Sequence, residues 1–238
     1  PLDRQHLAEF HKKFYQPFAV FVTAGSSFDE QSLIRLLEQF PKVVASAPRS
    51  FTLTAGVQKD HIEKAESIQT AIRVGKKSLG RKHPDYLTLL LLNHIFGGYF
   101  GSRLMKNIRE EKGLTYGIYS SLQALRHESF WVIGADVNKE NKDLALDEIR
   151  KELDAIRQQP ISADELDIAR SHFLGSLQSE VANPFSVMEK AKNIYLNELP
   201  ADFYQHLFSQ MKKTTAEDLM RVANTHLDEQ SLQVVTVG

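Results

Sequence analysis

Hydrophobic residues recur along this chain at two spacings, and the switch between them marks out its elements. In residues 3–15, Leu7, Phe10 and Phe14 fall three and four apart, which predicts one apolar stripe on a helix. A short β-rich run follows at residues 18–23 and ends at Gly25. Ser27 and Glu30 have the spacing of a capping box and predict a helix through Phe40, where Pro41 stops it. Residues 42–66 carry Pro48, Gly56 and mixed polarity, so they predict a connector with at most one edge strand. The period then changes to two: Ile68, Thr70, Ile72 and Val74 share one face of a strand over residues 67–76.

Pro84 sits well for the first turn of a helix. The run after it, residues 86–95, is almost unbroken in apolar character, which predicts a helix buried on several sides. Gly97 and Gly98 interrupt it. A second helix is predicted over residues 102–111, with Gly113 as its C-terminal cap. Residues 116–125 and 129–137 read as an antiparallel pair joined by a turn at 126–128. Within that pair Phe130 and Trp131 divide between core and opposite face, with Trp131 a candidate border of a peptide groove. Helices follow at 141–158, from Ser162 and Glu165 to about residue 181, from Pro184 to Pro200, at 201–212, and from the capping pair Thr214 and Glu217 onward. Residues 232–237 close the chain as a strand. Strands first and helices after predict an α+β fold: an antiparallel sheet of five to six strands with helices packed on one face.

One internal echo bears on domain organisation. Gly25 and Gly238 lie 213 positions apart (238 − 25), and at that offset Val22-Thr23 matches Val235-Thr236. Leu7 and Phe14 likewise match Met220 and Leu227. The expectation is one domain over residues 1–238, in which residues 1–25 echo 214–238 and mark the junction with an upstream half.

Composition narrows the function classes. Hydrophobic content of 42% with 25% charged residues is that of an ordinary globular protein, and 238 residues suffice for a sizeable core. The formal net charge of −1 gives no bulk attraction for nucleic acid or an anionic membrane. With no Cys there is no disulfide, thiolate zinc site or Cys nucleophile, and the compartment is left open. The apolar run at 86–95 contains Thr88, Asn93 and His94, and is too short and too polar to be a transmembrane segment. The opening Pro1-Leu2-Asp3, without Met, predicts a fragment whose targeting segment would lie upstream.

Arg109 and Tyr116 are the candidate site residues. Hydrolysis of a peptide bond puts negative charge on the carbonyl oxygen, and a site must offer preorganised donors where that charge develops. A guanidinium is permanently charged and forked, and a phenol donates from a rigid ring. The Gly113 turn can fold Tyr116 back toward Arg109. On spacing alone a plainer alternative stands beside this: Arg109 paired with a surface Glu, and Tyr116 packed as a half-buried strand aromatic. The order of residues is more specific. Ser102-Arg103-Leu104, then Arg109-Glu110-Glu111-Lys112-Gly113-Leu114-Thr115-Tyr116, then a strand of small and aromatic residues, resembles the R-x-x-x-G-L-x-Y segment of the M16 zinc endopeptidases. These are the pitrilysin, insulinase and mitochondrial-processing-peptidase group, and the likeness is to their C-terminal, metal-free half. It extends from about residue 7 to residue 237. The resemblance implies that Arg109 and Tyr116 hold the substrate carbonyl opposite a zinc carried by a partner half. It also implies an extended peptide substrate, and a Gly97-Gly98 break that positions the Arg-bearing helix.

The family's zinc motif, H-x-x-E-H on a helix, occurs nowhere in the chain. The near miss is His6-Leu7-Ala8-Glu9-Phe10-His11, but His6 and His11 are five apart (11 − 6) and diverge on a helix. His94 reads as a hydrogen-bonded core side chain. No metal is therefore assigned to this chain, and zinc is expected in the partner half. No phosphate-binding loop is present, and Gly97-Gly98 followed by Gly101 lacks a Rossmann context. The leading expectation is the substrate-contacting half of a zinc metalloendopeptidase, inactive alone, with its zinc half upstream or on a separate subunit. A non-catalytic structural or assembly subunit of the same family is the alternative, and an independent peptide-binding scaffold comes third. A surface made for the other half would favour a homodimer of the isolated chain.

Overall fold

Two compact units emerge from the described residues: residues 1–54 with 181–192, and residues 55–180 with 193–238. The structure, a computed structural model, describes residues 2–15, 20–23, 27–40, 56, 58–125 and 128–238.

The first unit holds α1 (Arg4–Phe14) and α2 (Glu30–Leu37). Asp3 caps α1, its carboxylate accepting from the His6 amide at 3.0 Å. The predicted stripe is present but uncovered: Leu7, Phe10 and Phe14 are all exposed, and the two phenyl rings lie 4.6 Å apart. The cap of α2 is Asp29 rather than Ser27. Its carboxylate accepts from the Gln31 amide at 3.1 Å and from the Ser32 hydroxyl, and a negative charge suits a helix N-terminus better than a hydroxyl does. The helix ends at Leu37, short of Phe40. Residues 20–23 form no strand. Gly25, Pro41, the first part of that expected strand, and residues 126–127 of the hairpin turn lie outside the described residues.

The second unit is built on a five-stranded sheet of order β1-β5-β2-β4-β3. The strands are β1 (Lys59–Ile62), β2 (Gln69–Lys77), β3 (Thr115–Ala124), β4 (Ser129–Asn138) and β5 (Gln233–Val237). The expected antiparallel sheet is mixed, because the edge strand β1 runs parallel to β5 with Lys59 opposite Val234. The other pairings are antiparallel. Alternation fixes the two faces: Thr70, Ile72 and Val74 of β2 point into the core with Trp131, Ile133, Ala135 and Val137 of β4. Ile68 was expected beside them but is 83% exposed. It precedes the strand, and its carbonyl accepts from the Lys139 amide at 3.1 Å.

Helices α3 (Tyr86–Asn93), α4 (Lys142–Gln158), α5 (Ala163–Ser179), α7 (Phe203–Lys213) and α8 (Ala216–His226) pack onto this core. Another helix is α6 (Pro184–Leu196), whose residues up to 192 group with the first unit and whose remainder groups with the second. As predicted, α3 is buried on nearly every side. Phe96, Leu91 and Ile133 have no exposed surface, and truncating such a residue to Ala costs about 3–5 kcal/mol. On the opposite sheet face Arg73, Tyr119, Phe130 and Asp136 remain open.

Two caps differ from expectation by the hydrogen bonds their residues make. Thr215, not Thr214, opens α8 through a full capping box with Asp218, while the Thr214 hydroxyl turns back to the Gln210 carbonyl at 2.8 Å. Ser162 caps α5 by accepting from the Glu165 amide at 3.2 Å, but the Glu165 carboxylate is used elsewhere.

Candidate functional site

The segment carrying Arg109 starts where α3 stops being an α-helix. After Asn93 the chain winds wider as a π turn, His94–Gly98, and leaves helical geometry at Gly97. A side chain cannot replace this glycine. A Cβ there would stand 2.7 Å from the Ser120 amide nitrogen of β3, so the absence of one lets the helix end press against the strand. Asn93 ties the same junction from inside. Its side-chain amide donates to the Ser120 carbonyl at 3.2 Å, and its Oδ1 accepts from Trp131 Nε1 at 2.8 Å and from the Ser120 hydroxyl. Trp131 is 1% exposed, so it is a core anchor and not the border of a groove; Phe130 takes the open face.

Arg109 lies on a π-helix, Met105–Glu111, a wide winding found often at functional sites. Three side chains before and after Arg109 bind this helix down. Arg103 forks onto Glu165 of α5, with Nε to Oε1 at 2.7 Å and Nη2 to Oε2 at 2.8 Å. Asn107 donates to Glu148 at 3.2 Å and to Glu152 at 2.7 Å, both on α4. Lys112 reaches Glu148 at 3.4 Å. The two carboxylates differ in character. Glu148 is held below the usual range, first by its bond from Lys151, whereas burial pushes Glu152 up.

With those acids occupied, the Arg109 guanidinium has no carboxylate among the described residues. It lies over the Phe100 ring, 4.6 Å from its centroid. The helix then ends at Gly113, whose φ of 62° is the left-handed conformation of a C-terminal glycine. The Gly113 amide donates to the Arg109 carbonyl at 3.2 Å, and the Leu114 amide to the Ile108 carbonyl at 3.0 Å, turning the chain directly into β3.

Tyr116 follows on a β-bulge. Between Thr115, opposite Val137, and Ile118, opposite Ala135, β3 contains one residue more than β4. The Thr115 hydroxyl pins the bulge, accepting from the Gly117 amide at 3.2 Å and donating to the Asp136 carbonyl at 2.7 Å. The extra residue re-aims Tyr116, which is 93% exposed. Among the described residues Arg109 has no Glu partner, and Tyr116 is exposed and not half-buried. The turn brings the segments of Arg109 and Tyr116 together. Among the described residues no hydrogen bond, ion pair or ring contact joins the two side chains; Tyr116 is exposed and Arg109 is half-buried against Phe100.

Sequence reasoning missed Phe100 and Thr115, the residues that orient these two donors. An aromatic at position 100 between Tyr99 and Gly101 was the available signal for the first, but its partner nine residues on (109 − 100) could be seen only in the fold.

The zinc implied by the family resemblance does not fit the residues of α1. The His6 ring faces Asp3 at 2.9 Å, Glu9 accepts from Gln5 at 3.0 Å, and His11 stacks on Tyr15 at 5.3 Å. His94 is, as predicted, a hydrogen-bonded core side chain: Nε2 meets His172 Nδ1 at 3.1 Å, and the ring stacks on Tyr99 at 4.5 Å. Burial first, and then His172, push His94 down to about 4.

Comparison with known proteins agrees with this architecture. An uncharacterized zinc protease of Mycobacterium bovis is 24% identical over 229 residues, covering 93% of this chain and 52% of that protein. A non-peptidase homolog of Helicobacter pylori, YmxG, is 28% identical over 148 residues, covering 60% of this chain and 33% of that protein. The crystal structure of a peptidase M16 inactive domain from Pseudomonas fluorescens superposes with a TM-score of 0.78 at 26% identity, covering 88% of this chain and 50% of that one. The chain thus spans about half the length of the curated relatives it matches. The family model described as the peptidase M16 inactive domain matches residues 1–173, and the chain belongs to that family.

Proposed function

We propose that this chain is the metal-free, substrate-contacting half of a zinc endopeptidase. The observation that carries the reading is the pair of available donors: a guanidinium with no carboxylate partner among the described residues, shelved on Phe100, and a phenol lifted into solvent by a pinned bulge. Zinc in the partner half would polarise the scissile carbonyl and activate water. This chain's residues do the complementary work. Arg109 supplies a fixed positive charge to the oxyanion, and Tyr116 donates its phenolic proton to the same oxygen or to the adjacent peptide group. Neither contact requires proton removal by this half, which agrees with the absence of an H-x-x-E-H base here. The substrate is a peptide in extended form, closed over by this unit.

Residues 1–25 fit the tail of an upstream half, and β1 to β5 a complete second one. The uncovered stripe of Leu7, Phe10 and Phe14 on α1 supports that division. It is also the surface on which the isolated chain would form a homodimer.

The test is hydrolysis of an unfolded polypeptide by the enzyme assembled with its zinc half. Removing one oxyanion donor typically costs about 10²–10³ in turnover. Arg109→Ala and Tyr116→Phe should each approach that loss with zinc content and circular dichroism unchanged. Full activity in both variants would end the proposal. The relative described as a non-peptidase homolog favours a second reading, a silent structural subunit. A degenerate H-x-x-E-H in the adjoining half would select it.

A further inference from the structure

Far along the sequence from Arg109 and Tyr116, the fold assembles a second group of chemically capable side chains. His83 and Asp85 precede α3, and His226 is the last residue of α8. One ligand atom from each lies within 4.8 Å of the other two. The loop is stiff. Pro84 fixes the backbone between the two loop residues, the His83 amide donates to the Gly80 carbonyl at 3.0 Å, and the Tyr86 amide to the His83 carbonyl at 3.0 Å.

The Asp85 carboxylate is divided between two partners. Oδ1 accepts from Arg221 Nη2 at 2.8 Å, and Oδ2 faces His226 Nε2 at 2.9 Å. That second spacing is informative. Two donors each about 2.0–2.1 Å from one metal, at roughly 90–110° to each other, stand about 2.9–3.4 Å apart. An ion can therefore replace the proton between His226 and Asp85 once the two side chains turn so that both lone pairs meet it. The third ligand, His83, is exposed and its ring meets that of His226 edge-on, with centroids 5.6 Å apart. Its Nδ1 now accepts from the Asp85 amide at 3.1 Å.

We infer that His83, Asp85 and His226 form a divalent-metal site of the zinc class, stapling the start of α3 to the end of α8. Two imidazoles and one carboxylate suit Zn²⁺ and its borderline neighbours better than Ca²⁺ or Mg²⁺. Arg221 is the outer partner that leaves Asp85 a single oxygen for the ion. The positive charge of Arg221 opposes the incoming cation, so affinity is moderate and water completes the coordination. Histidine spacing within one helix cannot reveal such a site, because its ligands are 141 positions apart (226 − 85).

The inference is separate from the peptidase reading, in which only the catalytic zinc is missing from this chain: the ion here would be structural, and it is tested on this chain alone. The chain is stripped with chelator, and Zn²⁺ or Co²⁺ is titrated in. One equivalent should bind with a rise in melting temperature. Affinity should fall at least about tenfold in His83→Asn and in His226→Asn but not in the control His172→Asn. Should the variants fold poorly, imidazole nitrogen resonances of the unaltered chain serve instead. Those of His83 and His226 should shift with Zn²⁺ while those of His94 and His172 stay. Failure to bind at tenfold excess of metal overturns the inference, as does equal binding by all variants or a shift confined to other histidines.

Discussion

Arg103 grips Glu165 through two parallel bonds of 2.7 and 2.8 Å, with both side chains largely withdrawn from water. This fork joins the helix of Arg109 to α5 and spends the carboxylate that would otherwise have closed the capping box with Ser162. Losing one partner strands a partly buried charge. Arg103→Met should destabilise by about 2 kcal/mol in urea unfolding, and adding Glu165→Gln should recover part of that loss. Additive losses in the double variant would mean that the fork contributes no coupling.

Gly113 is a purely conformational requirement. A Cβ at this position would meet nothing within 4 Å, so any penalty for adding one comes from φ of 62° alone. Gly113→Ala should cost about 1–2 kcal/mol, and Gly113→Asn distinctly less, because Asn tolerates the left-handed region. Equal stability of Ala and Gly at this position, by calorimetry, would contradict the assignment.

The buried His94 makes stability depend on pH. Its folded value of about 4 lies below the ordinary 6.5, so the unfolded chain takes up the proton first. The contribution is fully present above pH 6.5 and is lost as pH falls toward 4, to an extent of up to about 3 kcal/mol. Urea unfolding at a series of pH values should show a shallower decline for His94→Gln than for the unaltered chain. Identical slopes would assign the acid sensitivity to other groups.

Thr115 acts on Tyr116 only through the bulge, which makes it a positioning residue. In the assembled enzyme Thr115→Val should lower kcat about tenfold with KM nearly unchanged, and Thr115→Ser should restore it. A rise in KM alone would place Thr115 in substrate binding.

Much of this fold was legible because the relevant signals are local. The period-two run of Thr70, Ile72 and Val74 and the stop at Gly113 appear where the pattern put them, and the buried helix expected over 86–95 is α-helical to Asn93 before it widens. Capping pairs were less secure. Asp29 displaced Ser27, Thr215 displaced Thr214, and Glu165 was drawn away by Arg103, since several residues near a helix start compete for the same amides. The parallel pairing of β1 was invisible, as nothing in four residues announces which distant strand they join. Arg109 and Tyr116 stood out by sequence order. Phe100 beneath one and Thr115 beside the other did not, because stacking and bulge geometry arise only once β3 and the π-helix meet.

The parallel edge has a consequence for how the protein is made. Lys59 and Val234 are neighbours in the sheet yet 175 positions apart (234 − 59), and β5 separates β1 from β2. On the ribosome β2, β3 and β4 can zip together while β1 waits, already synthesised but without a hydrogen-bonding neighbour. Only when residues 233–237 emerge does the last strand slot between the two and bring β1 into register. The border of the sheet is therefore the final part to be sealed, and a nascent chain arrested before that point exposes it to any other strand that passes.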